Sequence, residues 1–441
     1  MLANYRYEEL SASDIQRLTV RNVDANKEIE FQVQQIIDNV RQNGDQALLA
    51  YARKFENVDL ERIAINEDEI TRQASLVSRH EKRALEIAFN NIFKFHQAQL
   101  KKEKRMETTP GVTCWRETRP IERVGIYIPG GSAVLPSTFL MLAVPARIAG
   151  CKEIVVCTPP QSDGKLNPYI AYCAQLLQIK KVHTIGGAQA IAALAYGTES
   201  VPRVDKIFGP GNQYVTKAKT LVQTQTTAAI DMPAGPSEVL VVADETSKPA
   251  FVAADLIAQA EHGPDRQAVL LSTHPGLIAQ VQAEIEIQLE ELPRAEIARK
   301  ALSKSYAIEF RQIAELMSFS NQYAPEHLII SVDNPAPYIS HIVNAGSVFL
   351  GHLTPESAGD YASGTNHTLP TSAYAKSYSG VSVDSFVKKI TFQQINEQGI
   401  LNLGPVIETL AEIEGLQGHK HAVTLRLNSL NSNEPSNHEP V

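Results

Sequence analysis

The sequence predicts an α/β fold built on parallel β-sheets, and two observations lead to that prediction. From Val124 onward, short apolar runs alternate with stretches of helical periodicity, which is the pattern of a parallel sheet covered by helices on both faces. Three of the apolar runs lead straight into glycine-rich turns, as strands of such sheets do. The predicted strands are residues 124–128, 154–157, 182–185, 206–208, 239–243, 269–272, 328–332 and 348–350.

Helices dominate the chain before this region. Val33, Ile36, Ile37 and Val40 recur at helical spacing, and residues 78–81, Ser-Arg-His-Glu, form a capping box that opens another helix. Residues 1–25 form a polar N-terminal arm. Residues 428–441 are rich in Asn, Ser, Pro and Glu with little to bury, so we predict a disordered tail.

Composition limits the classes of function. A chain of 441 residues with 43% hydrophobic and 20% charged residues is expected to form two or more globular domains. Its net charge of -8 argues against nucleic acid or an anionic membrane as partner. The N-terminus lacks a secretory signal, and the most apolar helix, residues 138–148, is short and interrupted by Pro145 and Arg147. We therefore predict a cytoplasmic protein.

Three glycine-rich turns follow predicted strands, at Pro129-Gly130-Gly131-Ser132, Gly186-Gly187-Ala188-Gln189 and Gly209-Pro210-Gly211-Asn212. Open α/β sheets bind ligands at the carboxyl ends of their strands, where glycine lets a nucleotide approach the backbone. None of the turns has the third glycine of the full dinucleotide fingerprint. Taken singly, each is better explained as a tight connection between a strand and a helix.

The segment Gln259-Ala260-Glu261-His262-Gly263-Pro264-Asp265 carries the first indication of a metal site. Gly263 followed by Pro264 predicts a helix end, so Gln259 and His262 are expected on one face of the last turn. A cation there would meet the negative end of the helix dipole. Because glutamine is an unusual zinc ligand, donors from elsewhere in the chain are required.

Three further segments supply such donors. Residues 354–367 lack helical or strand periodicity, and a loop of that length in a compact domain is usually functional. Residues 412–421 follow a short helix predicted to open at Gly404-Pro405, and they offer imidazoles near the C-terminus. Glu326 and His327 precede an apolar strand and can both reach one substrate only if they lie in the turn before it. The alternative is a partly buried histidine beside a solvated glutamate.

Four motifs, taken together, resemble the histidinol dehydrogenase family. They are Gln-Ala-Glu-His-Gly-Pro-Asp at 259–265, Ala-Pro-Glu-His-Leu at 324–328, Gly-Asp-Tyr-Ala-Ser-Gly-Thr-Asn-His at 359–367 and Gly-Pro-Gly-Asn at 209–212. The resemblance extends in register from about Ile29 to Leu427. Four long motifs in one order are far more specific than any short pattern.

This resemblance implies a zinc- and NAD-dependent enzyme that oxidises L-histidinol through L-histidinaldehyde to L-histidine, the last step of histidine biosynthesis. In the family pattern Glu326 activates water and His327 is the general base, with the unperturbed pKa near 6.5 that suits a base at neutral pH. The resemblance also implies residues that bind ligands: Gln259, His262, Asp360 and His419 for zinc; Tyr127, Gln189 and Asn212 for NAD; and Ser237, Gln259, His262, His327, Asp360, Glu414 and His419 for the substrate.

The resemblance also implies two incomplete Rossmann-like parallel-sheet domains, a helical N-terminal arm and a small C-terminal segment. We place the first α/β domain, with the metal and catalytic residues, at 26–126 and 239–380, and the second, with the NAD contacts, at 127–238. Residues 381–427 are expected to exchange between the subunits of a homodimer and to complete the partner's active site.

Several alternatives stay open. A zinc hydrolase would use Glu326 as the base for a metal-bound water, without a nucleotide. A non-enzymatic α/β scaffold would bind no stoichiometric zinc. His352, His367 and His421 lie close to the motifs and are alternative ligands. The four cysteines, at 114, 151, 157 and 173, are expected to be reduced thiols, although Cys114 or Cys151 could carry an aldehyde as a thiohemiacetal.

Overall fold

The computed structural model describes residues 2–20, 27–101, 103–130, 134–233 and 235–431. The chain divides into two compact units. The first unit comprises Met1–Gln99 and Ile121–Phe386, and the second comprises Leu100–Pro120 and Val387–Val441.

The strands and helices are numbered in chain order. The strands are β1 (Ala3–Arg6), β2 (Ala64–Ile65), β3 (Met106–Thr109), β4 (Val112–Pro120), β5 (Arg123–Tyr127), β6 (Glu153–Thr158), β7 (Val182–Thr184), β8 (Lys206–Phe208), β9 (Ala229–Ile230), β10 (Glu238–Ala243), β11 (Gln267–Ser272), β12 (Tyr306–Glu309), β13 (His327–Ser331), β14 (Ser347–Leu350) and β15 (Val387–Ile395). The helices are α1 (Ala12–Thr19), α2 (Lys27–Tyr51), α3 (Glu67–Ala74), α4 (Arg79–Gln97), α5 (Pro136–Ala149), α6 (Pro168–Leu176), α7 (Gly187–Tyr196), α8 (Gln213–Gln225), α9 (Pro249–Ala260), α10 (Leu277–Glu291), α11 (Ala295–Leu302), α12 (Ile313–Tyr323), α13 (Ala336–Ile339), α14 (Glu356–Tyr361), α15 (Glu397–Ile413) and α16 (Gln417–Asn431).

The first unit contains two six-stranded sheets with the same internal order. The first sheet runs β1-β12-β11-β10-β13-β14 and is parallel throughout. The second sheet runs β2-β7-β6-β5-β8-β9 and is parallel except at β2. Apart from the edge strands β1 and β2, each sheet places its strands in the order third, second, first, fourth, fifth, as the start of a Rossmann sheet does. The predicted α/β fold with two incomplete Rossmann-like sheets is confirmed.

Burial explains why the strand sequences are mostly apolar. All six residues of β10 and all five of β13 are buried, since helices cover both faces of each sheet. Each sheet accordingly has one apolar core on either face. One pair of cores packs around the second sheet and the other pair around the first.

The second unit is built differently. Strands β15, β4 and β3 form an antiparallel sheet, and α15 packs against α16. Large apolar side chains remain exposed on α15, among them Leu410 at 55% and Ile413 at 76% of full exposure.

Other local predictions are confirmed. The Ser78 side chain accepts a hydrogen bond from the Glu81 N–H, and the Glu81 carboxylate accepts one from the Ser78 N–H. All four cysteines are free thiols. Within the described residues, none of the helices combines the length and apolar character needed to cross a bilayer.

The N-terminal predictions need correction. Residues 1–25 are not merely an arm, because β1 pairs with β12 at the edge of the first sheet and α1 follows it; residues 21–26 lie outside the described part. Residues 26–126 do not belong wholly with the first sheet, because β2 and β5 pair with strands of the second.

The C-terminal predictions also need correction. Residues 354–367 are not structureless, because α14 forms there; six residues are too few to display a helical period. The helix before residue 414 does not open at Gly404-Pro405. It starts after Asn396, whose side chain accepts the Gly399 N–H, and continues through Pro405. The expected tail is helical as far as Asn431, and residues 432–441 lie outside the described part.

Candidate functional site

His327 occupies the amino end of the first sheet. It is the first residue of β13 and pairs in register with Val239 of β10. Glu326 lies in the turn before the strand, after Ala324 has ended α12 in the left-handed conformation with φ of 53°. The expectation that both residues lie in the turn is therefore correct for Glu326 only, because His327 is already part of β13.

Side chains from three other elements surround this histidine. Its Nδ1 lies 3.7 Å from Glu326 Oε2 and 3.5 Å from Glu356 Oε1, and its Nε2 lies 3.5 Å from Asp360 Oδ1. The amide Nε2 of Gln259, at the end of α9, lies 3.5 Å from His327 Nδ1. We call these five residues the His327 cluster. All are buried except Asp360, which is half-buried.

The charges in the cluster shift one another's pKa. Burial alone would lower the pKa of His327, but Glu356, Glu326 and Asp360 outweigh it and raise that pKa to about 10. Burial raises the pKa of Glu326 to about 7 and that of Glu356 to about 8, although His327 opposes both shifts. Burial would also raise the pKa of Asp360, but contact with His327 lowers it overall. The expectation of an unperturbed pKa near 6.5 for His327 therefore does not hold beside these carboxylates, which raise its pKa.

Glu356 was missed by the sequence reasoning. It opens α14, four residues before Asp360, so both carboxylates lie on one face of the helix. That spacing was a usable signal inside the 354–367 segment. The donor atoms of His327, Glu356 and Asp360 lie within 4.8 Å of one another, as in a metal site.

Two buried atoms in the cluster point to a ligand. His327 Nε2 and Glu356 Oε2 are inaccessible to solvent and make no hydrogen bond with any described residue. Buried polar atoms are nearly always paired, so such atoms at a cluster of charges are expected to meet a bound group.

The predicted zinc ligands are divided between the two units. Gln259 is buried, and His262 is exposed two residues beyond the end of α9, so it is not in the last helical turn as expected. His262 is close enough to Asp360 to help lower its pKa. His419 and Glu414 belong to the second unit, where both are exposed. Among the described His, Cys, Asp and Glu residues, the cluster with metal-ligand spacing contains Asp360 but not His262. The imidazole, carboxylate and amide donors of the predicted set are nevertheless types that a zinc site with a further donor could use.

Two further residues adjoin the His327 cluster: Ser237 precedes β10, which pairs with β13, and His367 contacts Asp360. Ser237 is half-buried immediately before β10. His367 Nδ1 lies 2.8 Å from the Asp360 carbonyl oxygen, and its Nε2 lies 3.0 Å from Thr138 Oγ1 of α5. Both ring nitrogens of His367 are thus engaged, and the residue holds the α14 loop against the helices of the second sheet.

The other alternative residues lie elsewhere. His352 lies between Ser331 Oγ and Asp333 Oδ1, at 3.2 and 3.1 Å, at the opposite end of β13. His421 is exposed on α16. Burial raises the pKa of Cys151 to about 11, which makes it a poor nucleophile, and Cys114 belongs to the second unit.

The three residues expected to contact NAD lie at the carboxyl edge of the second sheet. Tyr127 ends β5, and its hydroxyl accepts a hydrogen bond of 3.1 Å from the Gly187 N–H. Gln189 is buried in the first turn of α7. Asn212 caps α8 by accepting the N–H groups of Tyr214 and Val215. Gly131 and Ser132 of the turn after β5 lie outside the described residues.

The turn Gly209–Asn212, here called the Gly209 turn, lies where the strand order of the second sheet reverses between β5 and β8. Ligands of open α/β sheets bind at this switch point. Gly209 has φ of +129°, and a Cβ on it would lie 2.1 Å from the Tyr127 carbonyl oxygen. Only glycine fits so close an approach.

A buried ion pair holds this turn. Lys219 of α8 pairs with Asp231, and their side chains are only 5% and 2% exposed. Lys219 Nζ donates to the Gly209 carbonyl at 2.9 Å, and Asp231 Oδ2 accepts the Gly209 N–H at 2.9 Å. Both backbone groups of Gly209 are therefore fixed by one pair, which the sequence reasoning did not identify.

Comparisons with known proteins agree on one family. The family model described as histidinol dehydrogenase matches residues 19–427. The chain is 56% identical to the histidinol dehydrogenase of Bacteroides thetaiotaomicron over 90% of its own length and 93% of that protein. It is 50% identical to the chloroplastic histidinol dehydrogenase of Arabidopsis thaliana, over 98% and 93%. The crystal structure of histidinol dehydrogenase from Elizabethkingia anophelis superposes with a TM-score of 0.94 at 51% identity, covering 98% of this chain and 99% of that one. The chain belongs to the histidinol dehydrogenase family.

Proposed function

We propose that this chain oxidises L-histidinol through L-histidinaldehyde to L-histidine, with zinc and two successive molecules of NAD. The observation that carries the proposal is the His327 cluster, in which a buried imidazole and a buried glutamate meet at one edge of a rigid sheet. Relatives that align over most of their length are named for this activity.

The site residues fit both cofactors. Gln259, His262 and Asp360 would hold zinc together with His419, and Tyr127, Gln189 and Asn212 would contact NAD. Zinc bound there supplies positive charge that favours an ionised substrate hydroxyl, and NAD supplies the hydride acceptor.

The carboxylates of the cluster suit a cationic substrate. Glu326, Glu356 and Asp360 lie close together around His327, which contacts all three carboxylates. L-Histidinol brings an ammonium group, and the buried, unpaired Glu356 Oε2 is positioned to accept a hydrogen bond from it.

In the first oxidation His327 would take the hydroxyl proton through Nε2 while the carbon that bears the hydroxyl gives up a hydride to NAD, and the aldehyde results. For this the imidazole must be neutral beforehand. Cations at the cluster offset its carboxylates, so they lower the pKa of His327 from about 10 toward the neutral range.

In the second oxidation Glu326 would take a proton from water as the water attacks the aldehyde carbon, which gives a hydrate. His327 would then take a hydroxyl proton of the hydrate as the second hydride leaves, and the product is the carboxylic acid. Burial raises the pKa of Glu326 to about 7, which suits it to exchange protons with water near neutral pH.

We further propose a homodimer in which Glu414 and His419 serve the partner's site. Their exposure in the second unit and the exposed apolar residues of α15 support this arrangement. Four free cysteines support a reducing compartment such as the cytoplasm.

The test is to incubate the protein with L-histidinol and NAD and to follow NADH absorbance with and without a chelator. Two NADH per histidinol and inhibition by the chelator are expected. His327→Ala should abolish the signal, whereas His352→Ala, which removes an imidazole at the far end of β13, should not. A zinc hydrolase, the alternative with Glu326 as base, would form no NADH, so a wild-type enzyme silent in this assay would overturn the proposal.

A further inference from the structure

Glu56 lies at the carboxyl edge of the second sheet, although it comes from a distant part of the chain. It ends the helical turn Ala52–Glu56 that follows α2. Its carboxylate accepts the N–H of Gly186, in the turn after β7. A Cβ on Gly186 would lie 2.5 Å from Glu56 Oε1 and 2.5 Å from Cγ of Pro159, the residue after β6. Glu56 is therefore packed where β6 and β7 end.

One carboxyl oxygen of Glu56 is engaged and the other is not. Oε2 is inaccessible to solvent and makes no hydrogen bond with any described residue. Burial raises the pKa of Glu56 to about 7, and the group in turn raises the pKa of Tyr127 to about 12, together with the larger effect of burial. A buried carboxyl oxygen left unpaired at the carboxyl edge of this sheet calls for a donor from a ligand.

The position in the sheet identifies what such a ligand would present. Strands β5, β6 and β7 are the first, second and third strands of the Rossmann-like order. In dinucleotide-binding sheets of this order, an acidic residue near the end of the second strand binds the 2′-hydroxyl of the adenosine ribose. Here β6 is followed by Pro159 and Pro160, which supply neither a carboxylate nor an N–H. Glu56, from the segment that follows α2, lies near the end of β6 and can take the place of that acidic residue.

We propose that Glu56 accepts a hydrogen bond from the adenosine ribose 2′-hydroxyl of NAD and so selects NAD over NADP. The inference rests on the proposed NAD-dependent function and adds its cofactor specificity. The 2′-phosphate of NADP would bring about −1.5 to −2 charges against a buried carboxylate and would remove the donor that Oε2 lacks.

Equilibrium binding tests this without turnover. Zinc-loaded protein is titrated at about pH 8, where Glu56 with its pKa of about 7 is ionised, and bound nucleotide is followed by its fluorescence. The nucleotides are NADH, NADPH and the NADH analogue that lacks the adenosine 2′-hydroxyl. Wild type should bind the 2′-deoxy analogue about tenfold or more weakly than NADH, since hydrogen bonds to charged groups contribute about 1.5–3 kcal/mol. This comparison needs no variant and is independent of any folding defect.

Glu56→Gln then removes the charge and keeps the size and the acceptor for Gly186. The preference for NADH over NADPH should fall by about tenfold or more. The matched control is Asp59→Asn, the same charge change three residues later on a carboxylate that is 73% exposed and paired with Arg53; its preference should equal that of wild type.

The outcomes separate the two claims. If wild type binds no NADH, the proposed function fails and this inference with it. If wild type binds NADH, but also binds the 2′-deoxy analogue equally well or keeps its preference in Glu56→Gln, the proposed function stands and the assignment of Glu56 is wrong.

Discussion

Replacing Lys219 by methionine tests the ion pair under the Gly209 turn. The change keeps most of the apolar stem and removes the ammonium group, so Asp231, with 2% of its side chain exposed, stays buried without its cation. Breaking a buried pair in this way costs about 3–5 kcal/mol, because desolvation of the remaining charge is no longer offset. The Gly209 carbonyl also loses its 2.9 Å donor. We expect the free energy of unfolding to fall by about 3–5 kcal/mol.

The measurement is urea unfolding followed by circular dichroism, with Lys217→Met as the control. Lys217 lies on the same helix and pairs with Glu30 at 3.1 Å, but those side chains are 24% and 50% exposed. An exposed pair of this kind contributes about 0–1 kcal/mol. Equal losses from the two lysine variants would mean that burial of the Lys219 pair is not what stabilises the fold.

A double variant separates charge from packing. Lys219→Met with Asp231→Asn leaves no unpaired charge, and the asparagine oxygen can still accept the Gly209 N–H. The double variant should therefore be more stable than Lys219→Met alone. A double variant that is as unstable as the single one would refute the electrostatic reasoning.

The remaining predictions concern the site. Glu326→Gln should impair oxidation of histidinaldehyde more than oxidation of histidinol, because only the former needs activated water; equal losses in single-turnover assays from the two substrates would contradict this. His262→Ala should lose its zinc by elemental analysis, and full zinc content would remove His262 from the ligand set. Burial raises the pKa of Asp255 to about 7, although a hydrogen bond from the Glu356 N–H opposes the shift. In protein without metal, the contribution of Asp255 to stability is therefore present below about pH 4 and is lost as the pH rises to about 7. Asp255→Asn should therefore stabilise metal-free protein more at about pH 8 than at about pH 5 in urea unfolding, and an equal gain at both would be inconsistent with that shift. Mixed dimers of His327→Ala and His419→Ala chains should recover roughly a quarter of wild-type activity, since about half the dimers are mixed and each has one intact site; mixtures confirmed to contain heterodimers that stay inactive would exclude shared sites.

Periodicity predicted the parts of this fold whose burial is uniform along the chain. Strands such as β10 and β13 are buried along their whole length, and their apolar runs located them in the sequence. Their polar first residues, Glu238 and His327, fell outside the predicted strands. Helix α14 could not be found in this way, because its six residues complete fewer than two turns. The start of α15 was misplaced because a Gly-Pro pair suggested a beginning, whereas the Asn396 cap eight residues earlier is the true one.

Residues that adjoin one another in a sequence motif could be expected to lie together, whereas residues that meet only in the folded chain were missed. Glu326 and His327 are neighbours in the chain, and their shared environment could be expected from the strand that follows. Lys219 and Asp231 are separated by a helix and a strand, and nothing in the local sequence shows that both meet the Gly209 backbone. The pKa of His327 depends on three carboxylates from two elements, so it could not be inferred from residue type.

The His327 cluster lies at the amino edge of the first sheet, so its residues do not occupy the carboxyl edge. At the switch point between β10 and β13, Ser247 Oγ donates to the Ser331 carbonyl at 2.5 Å, and Asp333 N–H donates to Thr246 Oγ1 at 3.0 Å. These contacts tie the loops after β10 and β13 to each other at the edge opposite the His327 cluster. Substitutions at Thr246 or Ser247 are therefore expected to change the stability of the sheet more than the geometry around His327.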